Sequence, residues 1–102
     1  MAEVRWTPQA AEDLESIAEF IAGDSPPYAS LFVMDVLRVV ERLEAFPRSG
    51  RVVPELDQPS IREILMGSYR IVYRLRAGIV EVLTVWNGAR LLDPRRLRQS
   101  DH

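Results

Sequence analysis

The stretch from Ile61 to Trp86 constrains the fold more than any other part of the chain, because its pattern is typical of two consecutive β-hairpins. Three apolar-rich segments are separated only by two-residue breaks that contain glycine: Ile61–Met66, Tyr69–Arg76 and Ile79–Trp86. Gly67 at the first position of the first break suits a type II′ turn. The sequence therefore predicts an antiparallel sheet with Tyr69–Arg76 as its middle strand.

Side chains alternate between the two faces of a strand, so the middle strand predicts two chemically different faces. One face is aromatic and aliphatic and carries Tyr69, Ile71, Tyr73 and Leu75. The opposite face, called the arginine face below, carries Arg70, Val72, Arg74 and Arg76. A two-residue turn at Ala77-Gly78 places Arg74 opposite Glu81. This register adds Val80, Val82, Thr84 and Trp86 to the apolar face, and Ile79, Leu83 and Val85 to the arginine face. We expect the apolar face to be covered and the arginine face to form a half-apolar concavity for a partner.

The first half of the chain predicts the cover. Ala2–Trp6 alternates like a short strand, and Thr7-Pro8 is typical of a helix start, with Gly23 ending that helix. Ser25-Pro26 starts a second, longer helix that we expect to run to Pro47 with one apolar stripe, formed by Ala29, Phe32, Val33, Val36, Val40, Leu43 and Phe46. Arg48–Ser60 is expected to be a connecting loop. The fold class is therefore α+β: an N-terminal strand, and an α-helical hairpin packed on one face of an antiparallel β-sheet.

Length and composition narrow the function classes. We expect 102 residues to form a single domain, with residues 91–102 as a terminal helix or tail. The chain has no cysteine, and its only histidine is His102, so no metal or organic cofactor is expected. No signal peptide or membrane span is expected, which favours a cytoplasmic location. Residues 1–47 carry a net charge of −6 and residues 48–102 a net charge of +4, and all thirteen cations are arginine.

Arg70 is the main candidate functional residue. In the predicted register its neighbours are Leu65 and Val85, with Glu63 one step diagonal. Its guanidinium either contacts an anionic group of a partner or forms a structural pair with Glu63, and the two roles can coexist.

The sequence gives weaker evidence for a functional role of the other arginines. A cross-strand salt bridge with Glu81 is the simplest interpretation of Arg74. Arg90 would reach the same concavity if the Asn87-Gly88 turn folds the chain back. The basic run of Arg95, Arg96 and Arg98 is most simply a solvated terminus.

Taken together, these segments resemble the RelE/ParE superfamily of bacterial toxins from type II toxin–antitoxin modules, in particular its ParE-like branch. The resemblance covers roughly Val4 to Leu92. It rests on short motifs in this order: Trp6-Thr7-Pro8-Gln9-Ala10 with Asp13-Leu14, Phe46-Pro47, Gly50-Arg51, Val53-Pro54-Glu55, Ile61-Arg62-Glu63, Tyr69-Arg70-Ile71-Val72-Tyr73-Arg74 and Asn87-Gly88-Ala89-Arg90. The family fold, a helical hairpin on one face of an antiparallel sheet, agrees with the fold class derived above.

The resemblance implies two target classes. RelE-like members cut mRNA on the ribosome with arginines, lysines and a tyrosine or histidine, whereas ParE-like members inhibit DNA gyrase and are not nucleases. Arg70 corresponds to a strand arginine of the ribonucleases, and with Arg90 it would stabilise phosphate charge in that activity. However, the chain has no lysine, no tyrosine follows Tyr73, and Asn87 stands where many relatives have histidine. Because RNA cleavage needs proton transfer, and a pI near 5.4 suits RNA binding poorly, these departures favour gyrase inhibition.

The resemblance also implies partners. A cognate ParD-like antitoxin with a ribbon-helix-helix domain and a tail that folds on binding would neutralise the toxin. We expect the partner-binding side chains to be arginines: Arg70, Arg74, Arg90, Arg95, Arg96 and Arg98. Neither a membrane partner nor direct DNA binding by this chain is expected. A third function remains open, namely a non-toxic domain that only titrates antitoxin.

Overall fold

The computed structural model describes residues 1–90, 92, 93, 95 and 97, which form two helices packed on one mixed five-stranded sheet. The elements follow the chain in the order β1 (Glu3–Trp6), α1 (Pro8–Asp24), α2 (Pro26–Arg42), β2 (Arg51–Val52), β3 (Ile61–Met66), β4 (Tyr69–Arg76) and β5 (Ile79–Asn87). The strand order in the sheet is β1-β5-β4-β3-β2. The predicted α+β fold class is confirmed.

The two hairpins form at the predicted turns. Gly67 has a φ of 56° at the first turn, where Met66 pairs with Tyr69 and Ile64 with Ile71, as predicted. At the second turn Ala77 and Gly78 both have positive φ angles, which matches the twist of a two-residue hairpin loop. Arg74 lies opposite Glu81, as predicted from a two-residue turn at Ala77-Gly78.

A β-bulge shifts the pairing of the C-terminal half of β5 with β4. Tyr73 pairs with Val82 but Val72 pairs with Thr84, so Leu83 is the extra residue and the register shifts by one beyond it. The expected faces of two residues were therefore wrong. Val85 packs in the core beneath the helices, whereas Trp86 packs on the arginine face.

Two helix and strand boundaries also differ from the prediction. The second helix ends at Arg42 rather than at Pro47, and Phe46, expected in its apolar stripe, is 64% exposed. The residue before a proline disfavours helical geometry, and here the chain turns away several residues earlier. The predicted loop Arg48–Ser60 contains the short edge strand β2, which pairs antiparallel with β3.

The sheet is antiparallel except at one edge. β1 runs parallel to β5, with Glu3 opposite Ile79 and Trp6 opposite Val82. Thr7 joins this edge to the helices, since its hydroxyl donates to the Val82 carbonyl at 2.9 Å and accepts from the Ala10 amide at 3.2 Å. One buried threonine therefore caps α1 and holds it against β5.

The helical hairpin covers the apolar face, as expected. Ala10 of α1 and Val36 of α2 share a buried cluster with Ile71 and Val82 of the sheet. Tyr73 is fully buried beside it and donates its hydroxyl to the Pro47 carbonyl at 2.7 Å. Burial raises the pKa of this tyrosine above its ordinary value, so its hydroxyl stays protonated and its role is structural.

Candidate functional site

The arginine face is organised around Arg70, whose side chain is only 7% exposed. Its Nη1 and Nη2 atoms donate to the two carboxylate oxygens of Glu55, each at 2.7 Å. Its Nε donates to Oε1 of Glu63 at 2.6 Å. Three charge-assisted hydrogen bonds therefore fix the guanidinium in one orientation.

The expected structural pair with Glu63 is present, but it is part of a larger network. Glu63 is fully buried on its side chain, and its other oxygen accepts from Nε of Arg51 at 2.7 Å. Arg51 is 55% exposed and connects this buried centre to solvent. Two arginines and two glutamates cancel in charge, so the buried part of the network carries no unpaired ion.

The network also shifts proton affinities. The Arg70 guanidinium lowers the pKa of Glu55 from its ordinary 4.5 to about 2, against the opposing effect of burial. Hydrogen bonds from Arg70, first to Glu55 and then to Glu63, raise the pKa of Arg70 above its already high value. Glu55 and Arg70 are therefore both charged at neutral pH.

The C-terminal segment, described at Leu92, Asp93, Arg95 and Leu97, covers part of this face. The Leu92 amide donates to Oε2 of Glu55 at 3.1 Å, so the carboxylate that holds Arg70 also holds the start of the segment. Leu92 and Leu97 pack in a cluster with Val72, Leu83 and Trp86. The expectation of an open concavity with free guanidinium groups was therefore wrong at Arg70. The alternation of side chains along a strand shows which face a residue lies on, but not that a distant segment packs on that face.

The other candidate arginines are dispersed. Arg74 lies 3.2 Å from Oε1 of Glu81 and Arg76 lies 3.5 Å from the same oxygen, so the expected salt bridge of Arg74 is present. Arg95 is 81% exposed on its side chain and pairs with Asp93 at 2.9 Å. Arg96 and Arg98 lie outside the described residues, as does most of the expected terminal helix or tail.

Arg70 and Arg90 do not share a cavity. Arg70 and Arg51 line a shallow cavity of about 340 Å³ between the turns at Gly67 and Gly88. Arg90 lines a cavity of about 440 Å³ whose opposite wall is α1, including Asp13. The Asn87-Gly88 turn does fold the chain back, but it directs Arg90 towards the helix side. The two arginines therefore do not combine into one phosphate-binding site.

Sequence reasoning missed two members of the network, Arg51 and Glu55. Both belong to short motifs on which the family resemblance rests, Gly50-Arg51 and Val53-Pro54-Glu55. Their place in these motifs is the signal that could have identified them as candidate site residues. Both also lie in or beside a segment expected to be a loop, where strand alternation gives no orientation. Periodicity therefore located Arg70 and Glu63 but not their second partners.

The family model described as "ParE toxin of type II toxin-antitoxin system, parDE" matches residues 4–92. The chain belongs to this ParE toxin family. It is therefore a type II toxin by family, and the resemblance found in its sequence is confirmed.

Two curated relatives and one solved structure accompany that match. "Toxin RelE2" of Caulobacter vibrioides is 30% identical over 92 residues, which are 89% of this chain and 100% of the relative. "Putative toxin Y4kP" of Sinorhizobium fredii is 36% identical over 84 residues, which are 80% of this chain and 83% of the relative. The structure described as "Chromosomal ParDE TA system from P. aeruginosa" has a TM-score of 0.71 at 22% identity and covers 85% of this chain and 96% of its own. It supports the ParE-type fold.

The described residues offer neither a cluster of metal-binding side chains nor a membrane-spanning helix. Within the described part of the chain, no three histidine, aspartate or glutamate side chains are grouped closely enough to hold a metal ion. Neither described helix is long and apolar enough to cross a membrane.

Proposed function

We propose that this ParE-family toxin inhibits DNA gyrase by binding it and performs no chemistry of its own. The observation that supports this most directly is the state of Arg70, the strand arginine that a RelE-like ribonuclease would use. Each of its three guanidinium nitrogens already donates to Glu55 or Glu63 at 2.6 to 2.7 Å, so the group is oriented towards these carboxylates rather than towards a substrate phosphate. Because Glu55 and Glu63 balance the charges of Arg70 and Arg51, the network offers no net positive charge to an RNA backbone.

The positions of possible proton-transfer groups support the same proposal. The chain has no lysine, and its only histidine is the last residue. Tyr73 on β4 has its hydroxyl engaged by Pro47 and Gly50 beneath the helices. A nuclease that activates a 2′-hydroxyl needs a group poised to take its proton.

We propose further that a cognate antitoxin of the ParD type neutralises this toxin in the cytoplasm and that free toxin inhibits growth, as in plasmid stabilization systems. The P. aeruginosa relative is described as a ParDE system, and the family description names parDE. The expected partner-binding arginines remain Arg70, Arg74, Arg90, Arg95, Arg96 and Arg98. Since the side chain of Arg70 is buried and that of Arg95 is 81% exposed, a partner reaches Arg95 without rearrangement.

The test is a supercoiling assay with purified gyrase, run beside mRNA cleavage on programmed ribosomes. We expect loss of supercoiling and intact message. Cleaved message with unaffected gyrase would instead establish a ribosome-dependent endonuclease, the alternative favoured by the name of the Caulobacter relative, Toxin RelE2. Normal growth on expression of the chain alone, with both assays negative, would support a domain that only titrates antitoxin.

A further inference from the structure

β1 lies at one edge of the sheet, and its outer side is open. The strand order places β5 on its inner side, and none of the described strands pairs with its outer side. The Glu3 and Thr7 amides donate inward, to main-chain carbonyls of the β4–β5 turn and of β5, at 2.9 and 3.1 Å. Because successive residues of a strand direct their main-chain groups to opposite sides, the amides and carbonyls of Val4 and Trp6 point outward. An edge of this kind is a template for a further strand.

The flanking residues keep this open edge short. At its start the Ala2 amide already donates to the Glu44 carbonyl at 2.9 Å. Beyond its end Pro8 begins α1 and has no amide to donate. Val4 is therefore the outward-pointing residue that has strand neighbours on both sides, and pairing with a further strand would be centred on it.

The two charged side chains of β1 lie symmetrically about Val4. Glu3 and Arg5 are 58% and 61% exposed, respectively, and form an ion pair with each other at 2.7 Å. An exposed pair of this kind stabilises a single chain little. When two β1 strands run antiparallel with Val4 opposite Val4, each Glu3 lies opposite Arg5 of the other strand. The charges of β1 are therefore complementary to those of a second β1.

Other two-fold arrangements of two β1 strands are less favourable. An axis at Glu3 or at Arg5 places like charges opposite each other, and it brings together residues whose main-chain groups already face β5. An axis at Trp6 places Val4 opposite Pro8, which cannot donate a hydrogen bond. The axis at Val4 combines outward main-chain groups with opposite charges.

The neighbouring strands favour the same arrangement. Charged residues on an edge strand usually prevent pairing, because like charges would meet. Here Arg5 lies beside Glu81 of β5, and Glu81 lies beside Arg74 of β4. Adding Glu3 of a second copy beyond Arg5 continues this row with alternating sign across both sheets. Each Arg5 then lies between two carboxylates.

We infer that two copies of this chain associate by pairing β1 with β1, antiparallel about a two-fold axis at Val4, so that their sheets become continuous. The two Val4 residues exchange two main-chain hydrogen bonds, and Glu3 of each copy pairs with Arg5 of the other. Because the paired strands are short, the contact is small and the dimer dissociates on dilution. The β1 edge is separate from the Arg70 network, so the inference goes beyond the proposed function.

The test is analytical ultracentrifugation of the full-length chain over a wide range of concentration. The mass of the wild type should rise from that of the 11.7 kDa monomer towards that of a dimer. Glu3→Arg and Arg5→Glu each place like charges across the axis and should weaken association about tenfold or more. An equimolar mixture of these two variants restores opposite charges at both positions, so it should associate about as strongly as the wild type.

Matched variants separate this contact from a general effect of charge. Asp35 and Arg38 form an ion pair of similar exposure on α2. Asp35→Arg and Arg38→Glu therefore make the same changes of charge away from β1, and association should stay within about threefold of the wild type. Val4→Pro removes the outward amide but leaves the inward hydrogen bonds of β1, as edge strands tolerate. It should abolish the dimer.

Four results would overturn the inference. These are a wild type that stays monomeric up to its solubility limit, equal losses in the β1 and α2 variants, a mixture that associates no better than its separate components, and a dimer that survives Val4→Pro. In the last case the dimer uses a different surface. Circular dichroism of every variant shows whether the fold is retained.

Discussion

At the scale of single residues, the chain depends on paired charges that are out of contact with solvent. Arg70 and Glu63 are buried with side chains 7% and 0% exposed, respectively, while Arg76 on the same face of β4 is 51% exposed. Removing one partner of a buried ion pair leaves the other charge desolvated, which costs far more than loss of a surface pair. The same strand therefore contains both the sensitive position and its matched control.

Arg70→Ala should lower the free energy of unfolding by about 3–5 kcal/mol, because it leaves Glu55 and Glu63 without their shared cation. Arg76→Ala should change it by less than about 1 kcal/mol. Urea unfolding followed by circular dichroism measures both. Similar small losses would show that the Arg70 network is hydrated rather than buried. If Arg70 also contacts a partner, affinity should be compared only under conditions where the variant is folded.

Glu55 gives the network a pH dependence. Its pKa falls from 4.5 to about 2 on folding, so the unfolded chain binds its proton first as the pH drops. The stabilisation from Glu55 is complete above pH 4.5 and is lost progressively towards pH 2. Replacing Glu55 by Gln should flatten this part of the curve of unfolding free energy against pH. Glu41→Gln on the exposed surface of α2 is the control, since it changes the net charge by the same amount.

At the scale of elements, the N-caps of α1 and α2 show that burial determines how much the same type of capping hydrogen bond contributes to stability. Thr7 and Ser25 both accept a hydrogen bond from the third residue of their helix, at 3.2 Å and 3.4 Å. Thr7 is buried and also donates to the β5 backbone, while the Ser25 bond is exposed. The cap on α1 therefore joins a helix to the sheet, and the cap on α2 acts within one turn.

Thr7→Ala should destabilise the protein by about 2 kcal/mol, the upper end for loss of an N-cap, because the bond from the buried hydroxyl to the Val82 carbonyl is lost as well. Ser25→Ala should cost less than about 1 kcal/mol. Thr7→Ser keeps the hydroxyl and should restore most of the loss. Thermal unfolding of the three variants provides the comparison. Equal shifts for Thr7→Ala and Ser25→Ala would contradict the role of Thr7 in joining α1 to β5.

The elements also show what the sequence could predict. Turn residues and alternation located both hairpins, and a two-residue turn at Ala77-Gly78 predicted the pairing of Arg74 with Glu81. The bulge at Leu83 could not be predicted. The residue pattern of a single strand does not show an extra residue until its pairing with the neighbouring strand is known. The returning C-terminal segment was missed for a related reason. Its contact with Glu55 joins residues 37 positions apart through a backbone amide, which leaves no trace in side-chain periodicity.

At the scale of the whole molecule, the sheet is enclosed by helices on one face and partly by the C-terminal segment on the other. Leu92 and Leu97 pack with Trp86, whose Nε1 donates to the Arg90 carbonyl at 3.2 Å. Trp86 therefore reports whether the segment is docked.

The double variant Leu92→Ser and Leu97→Ser, made in a Trp6→Phe background, should shift the emission of Trp86 to longer wavelength because the indole gains contact with water. It should also lower the free energy of unfolding by about 2 kcal/mol or more through loss of buried leucine. Arg95→Ser in the same background is the control and should change neither quantity. An unchanged emission maximum in the double variant would show that Trp86 is shielded by other residues.

The parallel pairing of β1 with β5 has a consequence for synthesis on the ribosome. The first strand of the chain finds its place only beside the last one, since Glu3 pairs with Ile79 and the Thr7 amide donates to the Val82 carbonyl. Translation must therefore pass residue 82 before the amino-terminal edge of the sheet can close. Contacts of such long sequence separation form late and slow folding. A nascent chain interrupted before that point lacks the partner strand of β1, so the sheet of this fold closes only after residues 79–82 have been translated.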